Sequence, residues 1–449
     1  MKYVEGAKKL FLDTGTRFPR EVVWSVALLK YSAAKANLSL QKIDEQLYHA
    51  IAAASKDVMD GRHDDEVVVD VFQTGSGTGV NMNINEVIAE LASTTSGKPV
   101  HPNDHINMGQ SSNDVVPSAV RMAAVSLCRQ RMLPSLDVIA AGLRRLERRT
   151  STVYKSGRTH LRDATPVTMG QEFGAYADAF EHDRALVEEA LKYVSELPIG
   201  GTAVGTGINT DRRFGRMVVE EVNKYTGLDF AEARNKFRAM RLLTDMVTLS
   251  SALKATALDL LRLCQDVRLM FSGPLTGLAE IELPTQADVA GSSIMPGKTN
   301  PVTVEACMLA SSQVIGLDLA NQTAATLGEF ELSMGVPLIG YNVNLQVKLL
   351  SEALNKLSSL VLAQVVPHKE RARRLAEMSS SLITALSPVV GYDKAAEIGK
   401  RLSHGLSIRD ALRELGYKDN EIDKLLDLKK LVGQQSKAVR PPTKVGPDR

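Results

Sequence analysis

The sequence predicts an all-α chain dominated by a long central helical bundle. Three observations lead there. Apolar residues make up 44% of the 449 residues but aromatics only 5%, so Leu, Ala, Val and Met must fill the core, which suits helix-on-helix packing. Apolar positions recur at helical spacing over stretches much longer than an ordinary helix. The single strand-like run is Glu66 to Phe72. The chain divides into an N-terminal, mostly helical domain over 1–110, the long-helix bundle over 111–365, and a small C-terminal helical domain over 366–449.

Taken in order, residues 20–58 read as two or three short helices. The hydroxyl- and glycine-rich stretch Gln73 to Asn81 precedes a helix beginning near Asn85. From Asp114 to about Arg148 a long helical pattern runs through Val120, Ala124, Leu127, Leu133, Ile139 and Leu143, with a bend expected at Pro134. Gly157 to Pro166 reads as a polar loop ending at a helix start. Thr168 and Gln171 suit a capping box, after which Phe173, Tyr176, Ala177, Phe180, Val187 and Leu191 form a one-face stripe. Residues 232–272 read as one very long helix, 301–325 and 337–365 as two more. His368 to Lys400 and Ser407 to Leu428 give shorter helices around Gly391 and Gly405. Helices this long and apolar predict a bundle shared between subunits.

Composition excludes several classes. The net charge of +2, without a basic stripe, argues against nucleic-acid binding, and the basic, Pro-rich tail from Ser436 reads as a frayed terminus. Cys128, Cys264 and Cys307 are odd in number and far apart, which argues against disulfides or a zinc site and for a reducing compartment. The first residues do not read as a signal peptide. The most apolar run, Met246 to Leu263, carries Lys254, Asp259 and Arg262, which a membrane span would not tolerate. A cytoplasmic protein is expected.

The richest chemistry lies in Gly291-Ser292-Ser293-Ile294-Met295-Pro296-Gly297-Lys298-Thr299-Asn300-Pro301. Asn300 is a good N-cap and Pro301 a good first helical residue, so Lys298 and Asn300 stand at the positive end of a helix. That is an anion site, with serines on the same loop. It is no nucleotide-phosphate loop: five residues separate Gly291 from Gly297, where that motif has four. Further polar clusters sit at other helix ends: Ser76, Gly77 and Thr78; Ser111, Ser112 and Asn113 before Asp114; Thr159 and His160 before Pro166. A turn or a cap would explain each alone. Histidine is also the natural proton carrier near neutral pH. His101 and His105 lack a third ligand and flank Pro102, so no metal is expected. Gly200 to Gly207 lacks the strand and spacing of a dinucleotide fingerprint; its glycines suit close packing. Together the loops offer hydroxyl, amide and cationic donors and few carboxylates, as a small polyanion requires.

On these residues the chain resembles the class II fumarase branch of the fumarase/aspartase superfamily over nearly its whole length. GSSIMPGKTNP matches the superfamily signature, and QTGSGT, QSSND, GRTHLRDATP and GGTAVGTG are fumarase-like. His160 and Ser112 stand where aspartases usually have glutamine and threonine, which favours fumarate hydration over the alternative, an aspartate ammonia-lyase or another dicarboxylate lyase of the same superfamily. Gly391 to Ala396 is similar to that branch's C-terminal domain.

The resemblance implies a homotetramer with a shared helix core, active sites built by three subunits, a fumarate or L-malate substrate, and no metal or cofactor. It implies that Ser292 is the base, His160 the acid-side group acting through water, and Glu305 the partner that orients His160. Ser76, Gly77, Thr78, Ser111, Ser112, Asn113, Thr159, Ser293, Lys298 and Asn300 would bind the carboxylates, with Gly291 and Gly297 as hinges of a closing loop. His101, Pro102, Asn103 and Asp104 match a secondary dicarboxylate site. This chain departs from the family pattern at Lys98, where arginine is common, at Arg162 beside His160, and in a lengthened run from Thr285 to Ala290.

Overall fold

A computed structural model describes residues 2–284, 291–402 and 407–432. Thr285 to Ala290, Gly405 and the basic tail lie outside the described residues. The helices are α1 (Lys2–Leu10), α2 (Arg20–Ser39), α3 (Glu45–Met59), α4 (Thr78–Ser96), α5 (Ser112–Leu127), α6 (Leu133–Arg149), α7 (Met169–Val194), α8 (Phe214–Thr226), α9 (Lys236–Arg241), α10 (Thr244–Phe271), α11 (Val302–Ala324) and α12 (Val336–Lys356). Helices α13 (Lys369–Met378), α14 (Leu382–Val390), α15 (Tyr392–Leu402), α16 (Ile408–Glu414) and α17 (Asp419–Leu425) follow. The main β element is an antiparallel hairpin of β1 (Tyr154–Thr159) and β2 (Arg162–Thr168).

The chain forms two compact units: Met1–Ile139, Ala179–Cys264 and Thr303–Leu357 make the first; Ala140–Asp178, Gln265–Val302 and Ser358–Arg449 the second. Each gathers separate stretches of chain.

In the first unit, α2 packs on α3, α5 and α8, and α5 on α12. The long pattern from Asp114 to Arg148 is realised as α5 and α6 joined by a π-helical segment, Cys128–Met132. Pro134 has no N–H to give, and the wider turn just before it accommodates the break. The bundle interior holds a few paired charges. Arg121, fully buried, makes a two-pronged bond to Asp245 at 2.9 and 3.1 Å. Asp318 gathers Ser250, Lys254 and Gln322. Asp183 on α7 is 2% exposed, and its Oδ2 has no hydrogen-bond partner. Burial, then the charge of Asp259, pushes its carboxyl up to about 7.

Three expectations are corrected. The helix after the Gly-rich loop starts at Thr78, not near Asn85, because Gly77 takes φ 82° and turns the chain into the helix early. Residues 232–272 are not one helix: extended Leu242 separates α9 from α10, and buried Asp245 opens the second. The run Glu66 to Phe72 is no strand but a 3₁₀ turn, Asp64–Glu66, followed by a single bridge from Asp70 to Arg17.

In the second unit, the hairpin replaces the polar loop expected before Pro166. Its pairing shifts between Ser156 and Gly157, leaving Thr165 as an extra residue. A Cβ at Gly157 would lie 2.5 Å from the Thr165 carbonyl, so the bulge requires glycine. The expected capping box follows: Thr168 N donates to Gln171 Oε1 at 2.8 Å and Gln171 N to Thr168 Oγ1 at 3.1 Å. The C-terminal helices close a core of Leu382, Leu386, Ile398, Ile408, Leu412 and Ile422.

Candidate active site

In the first unit, two helix starts come together. Ser76 Oγ lies 3.0 Å from Thr78 Oγ1, which lies 2.7 Å from Ser112 Oγ. This chain of three hydroxyls spans the N-termini of α4 and α5, whose free N–H groups and dipoles favour an anion. Gly77 permits the approach: its φ is 82°, and a Cβ there would lie 2.5 Å from Val116 Cγ1. Ser111 caps α5 in a capping box with Asp114, donating its N–H to Asp114 Oδ1 at 2.9 Å. Asp114 Oδ2 accepts from the amides of Gly200 and Thr202 at 3.0 and 2.8 Å. Asn113 Nδ2 donates to the Ala203 carbonyl at 2.8 Å. The Gly200–Gly207 loop is thus tied to the α5 start. Its glycines do serve close packing, since a Cβ on Gly200 would lie 2.8 Å from Gly215 Cα. Burial pushes the Asp114 carboxyl up to about 6, against the hydrogen bonds it accepts. Glu305 lies half-buried in the first turn of α11.

Behind these loops lies a residue that the sequence reading missed. Lys30 on α2 is fully buried, and its Nζ donates to Asn81 Oδ1, Asn107 Oδ1 and Gln110 Oε1 at 2.7, 2.9 and 3.0 Å. The signal was present in the sequence. Val23, Val26, Lys30, Ala33 and Asn37 recur at helical spacing, so Lys30 falls on the apolar stripe of α2.

In the second unit, Thr159 and His160 sit at the exposed tip of the hairpin. Thr159 pairs with Arg162, so the loop is the two residues His160 and Leu161, at φ 54° and 57°. Both lie in the left-handed region, as in a type I′ turn, which favours Asn-Gly. Holding two bulkier residues there stores roughly 1–3 kcal/mol apiece. Below the tip, Glu280, 0% exposed, binds Arg158 at 2.8 and 3.2 Å and Lys155 at 3.2 Å. Lys155 also holds both Glu172 oxygens at 2.7 Å. This ion cluster anchors the strand that presents His160.

The loop from Gly291 to Asn300 is closed at its base by a bridge between Gly291 and Thr299, with Ser292 N donating to the Lys298 carbonyl at 2.9 Å. Gly297 adopts φ 79°. Ser292 Oγ accepts two amide N–H groups, from Ile294 at 3.3 Å and Met295 at 3.1 Å. Both donors stabilise an alkoxide more than a hydroxyl. Ile294 is 85% exposed, and Ser293 and Lys298 are also exposed. Helix α11 starts at Val302, two residues after Asn300 rather than at Pro301. His160 makes no hydrogen bond to Ser292 or to any other described residue.

The family described as Lyase matches residues 1–316, and Fumarase C C-terminus matches residues 382–433. A curated class II fumarate hydratase from Saccharolobus solfataricus is 61% identical over 96% of this chain and 98% of that protein. The chain belongs to the class II fumarate hydratase family. The class II fumarate hydratase of Xylella fastidiosa is 42% identical over 93% of this chain and 88% of its own. The crystal structure of class II fumarase from Schistosoma mansoni superimposes with a TM-score of 0.91 at 31% identity, covering 96% of this chain and 94% of that one.

The segment expected from the resemblance as a secondary site, His101 to Asp104, opens a short π-helical turn, Pro102–Ile106. His101 Nδ1 accepts from the amides of Asn103 and Asp104 at 3.3 and 3.1 Å, so His101 caps that turn. Lys98 donates to Gln46 Oε1 at 2.7 Å, a single contact where a guanidinium would offer a fork.

Proposed function

We propose that this chain catalyses the reversible hydration of fumarate to L-malate by anti addition. A class II fumarate hydratase that is 61% identical across almost the whole chain carries the reading. Starting from malate, the Ser292 alkoxide takes the C3 proton. The electron pair moves into the adjacent carboxylate, giving an aci-carboxylate dianion. The C2 hydroxyl then leaves as water, with its proton delivered from the His160 side. The two amides on Ser292 Oγ support the base role, since an unassisted serine is a poor one. The hydroxyl chain at the α4 and α5 starts, with Ser111 and Asn113 beside it, supports carboxylate binding and dianion stabilisation. Thr159, Ser293, Lys298 and Asn300 are assigned to the carboxylates, and Glu305 to orienting His160, on the family resemblance. The same ground assigns His101, Asn103 and Asp104 to a secondary dicarboxylate site.

A homotetramer in which three subunits complete each active site is part of this reading. The surface of α11 supports it. That helix is long and apolar enough to cross a membrane, yet buries only 28% of its most apolar window and exposes Leu309 at 74% and Leu319 at 66%. Buried Asp318 and Asn321 suit a helix packed among protein neighbours better than one in lipid. Three free, buried cysteines support a reducing, cytoplasmic location. The test follows fumarate absorbance, first with malate and then with aspartate as substrate. Turnover of malate is expected; turnover of aspartate alone would overturn the reading.

A further inference from the structure

A lone ammonium on the buried stripe of α2 requires compensation. Two of the three amides around Lys30 are oriented independently of it. Asn107 Nδ2 donates to the Gln110 carbonyl at 3.2 Å, and Gln110 Nε2 donates to the carbonyls of Ile106 and Met108 at 3.0 and 3.3 Å. Their oxygens must therefore face Lys30. The ammonium gives each of the three oxygens an N–H, and Asn107 Oδ1 also accepts from Asn81 Nδ2 and Asn85 Nδ2, both at 3.3 Å. The neutral amine has only two N–H groups, so deprotonation would turn its lone pair onto one of these buried oxygens in place of a charge-assisted hydrogen bond.

The amides belong to the substrate-facing loops. Asn81 lies in the opening turn of α4, three residues after Thr78, and Gln110 directly precedes Ser111. Asp114, which ties Ser111 to Gly200 and Thr202, is the charged group facing Lys30 from α5. On α3 and α8, which also pack against α2, Tyr48, Lys56, Glu221 and Tyr225 face Tyr31 instead. Burial pulls Lys30 down to about 7, with Asp114 opposing.

We propose that Lys30 is a positioning residue for the dicarboxylate. Its charged form braces the two helix starts that carry Ser76, Thr78, Ser111, Ser112 and Asn113, and losing its proton loosens substrate binding. The inference rests on the hydration reading for the identity of the dianion. Coupling is reciprocal: a docked dianion holds the proton on Lys30, so binding takes up a proton.

The test measures kcat and KM for malate between about pH 6 and 9, where the dicarboxylate stays ionised. It also measures binding of unreactive succinate by calorimetry at about pH 7.5, in buffers of different ionisation heat. KM is expected to rise by up to about tenfold per pH unit above about 7, with kcat changing less. Proton uptake on succinate binding is expected in the parent and in His160→Asn. Lys30→Met, checked for its melting temperature, is expected to bind succinate about tenfold more weakly at low pH and without uptake. If that variant does not fold, uptake in His160→Asn decides. Uptake absent from the parent, or lost in His160→Asn, would overturn the role of Lys30. A parent that takes up protons with succinate but never turns over malate would overturn the hydration reading and leave Lys30 standing.

Discussion

Replacing Glu280 with glutamine tests whether the buried ion cluster holds the His160 hairpin. Glu280 is 0% exposed and meets two cations, Arg158 and Lys155, whose side chains are 17% and 4% exposed. Lys155 keeps both oxygens of Glu172. Arg158 keeps only its 3.4 Å contact to the Ser156 carbonyl. Removing one partner of a buried pair costs about 3–5 kcal/mol. Glutamine retains an acceptor and its size, so about 3 kcal/mol is expected for Glu280→Gln. The loss should appear as a lowered urea midpoint. Displacing the strand that presents Thr159 and His160 should also lower kcat/KM by about 10², the scale of a misplacement of roughly 1 Å. Glu172→Gln is the control: its side chain is 33% exposed and it should cost less on both counts. A Glu280→Gln protein within about 1 kcal/mol of the parent, with unchanged kcat/KM, would refute the anchoring role.

Ser292→Ala should cut kcat for malate by about 10²–10⁴ with a smaller change in KM, the range for loss of a proton-transfer group; near-parental turnover in a stopped assay would remove Ser292 as the base. Asp183 titrates near 7 when folded and near 4 when unfolded, so the stability its carboxyl contributes is full below the unfolded value and lost as pH rises through the folded one. Asp183→Asn should therefore gain stability relative to the parent by up to about 4 kcal/mol between about pH 4 and 8, and a pH-independent difference in melting temperature would contradict this. Leu309→Glu with Leu319→Glu should reduce the solution mass to that of smaller species, as light scattering would show; an unchanged mass would mean that α11 is not buried between subunits.

Much of the fold was legible because the bundle follows helical periodicity. The α5–α6 run, its break by Pro134 and the Thr168–Gln171 capping box all follow from local rules. What escaped depended on long-range contacts. Nothing local marks Leu242 as a helix break; the chain stops there so that Asp245 can meet Arg121 across the bundle. The hairpin was hidden because His160 and Leu161 are poor turn residues, and the turn is held by strand pairing and the Glu280 cluster instead. The hydroxyl residues of the site were readable as donors. Lys30 was not, because a lysine in a helix reads as a solvated charge until its neighbours' periodicity is weighed.

The tip at His160 and Leu161 also constrains length. Exposed turns usually accept insertions and deletions freely. Here Thr159 must face Arg162 across a loop of only two residues. One added residue would convert it to a three-residue loop that needs a left-handed glycine and a new bulge, and would swing the imidazole away from its present direction. This stretch of surface should therefore tolerate substitutions at Leu161 better than any change in residue count, and grafting or tagging there should fail where other loops accept it.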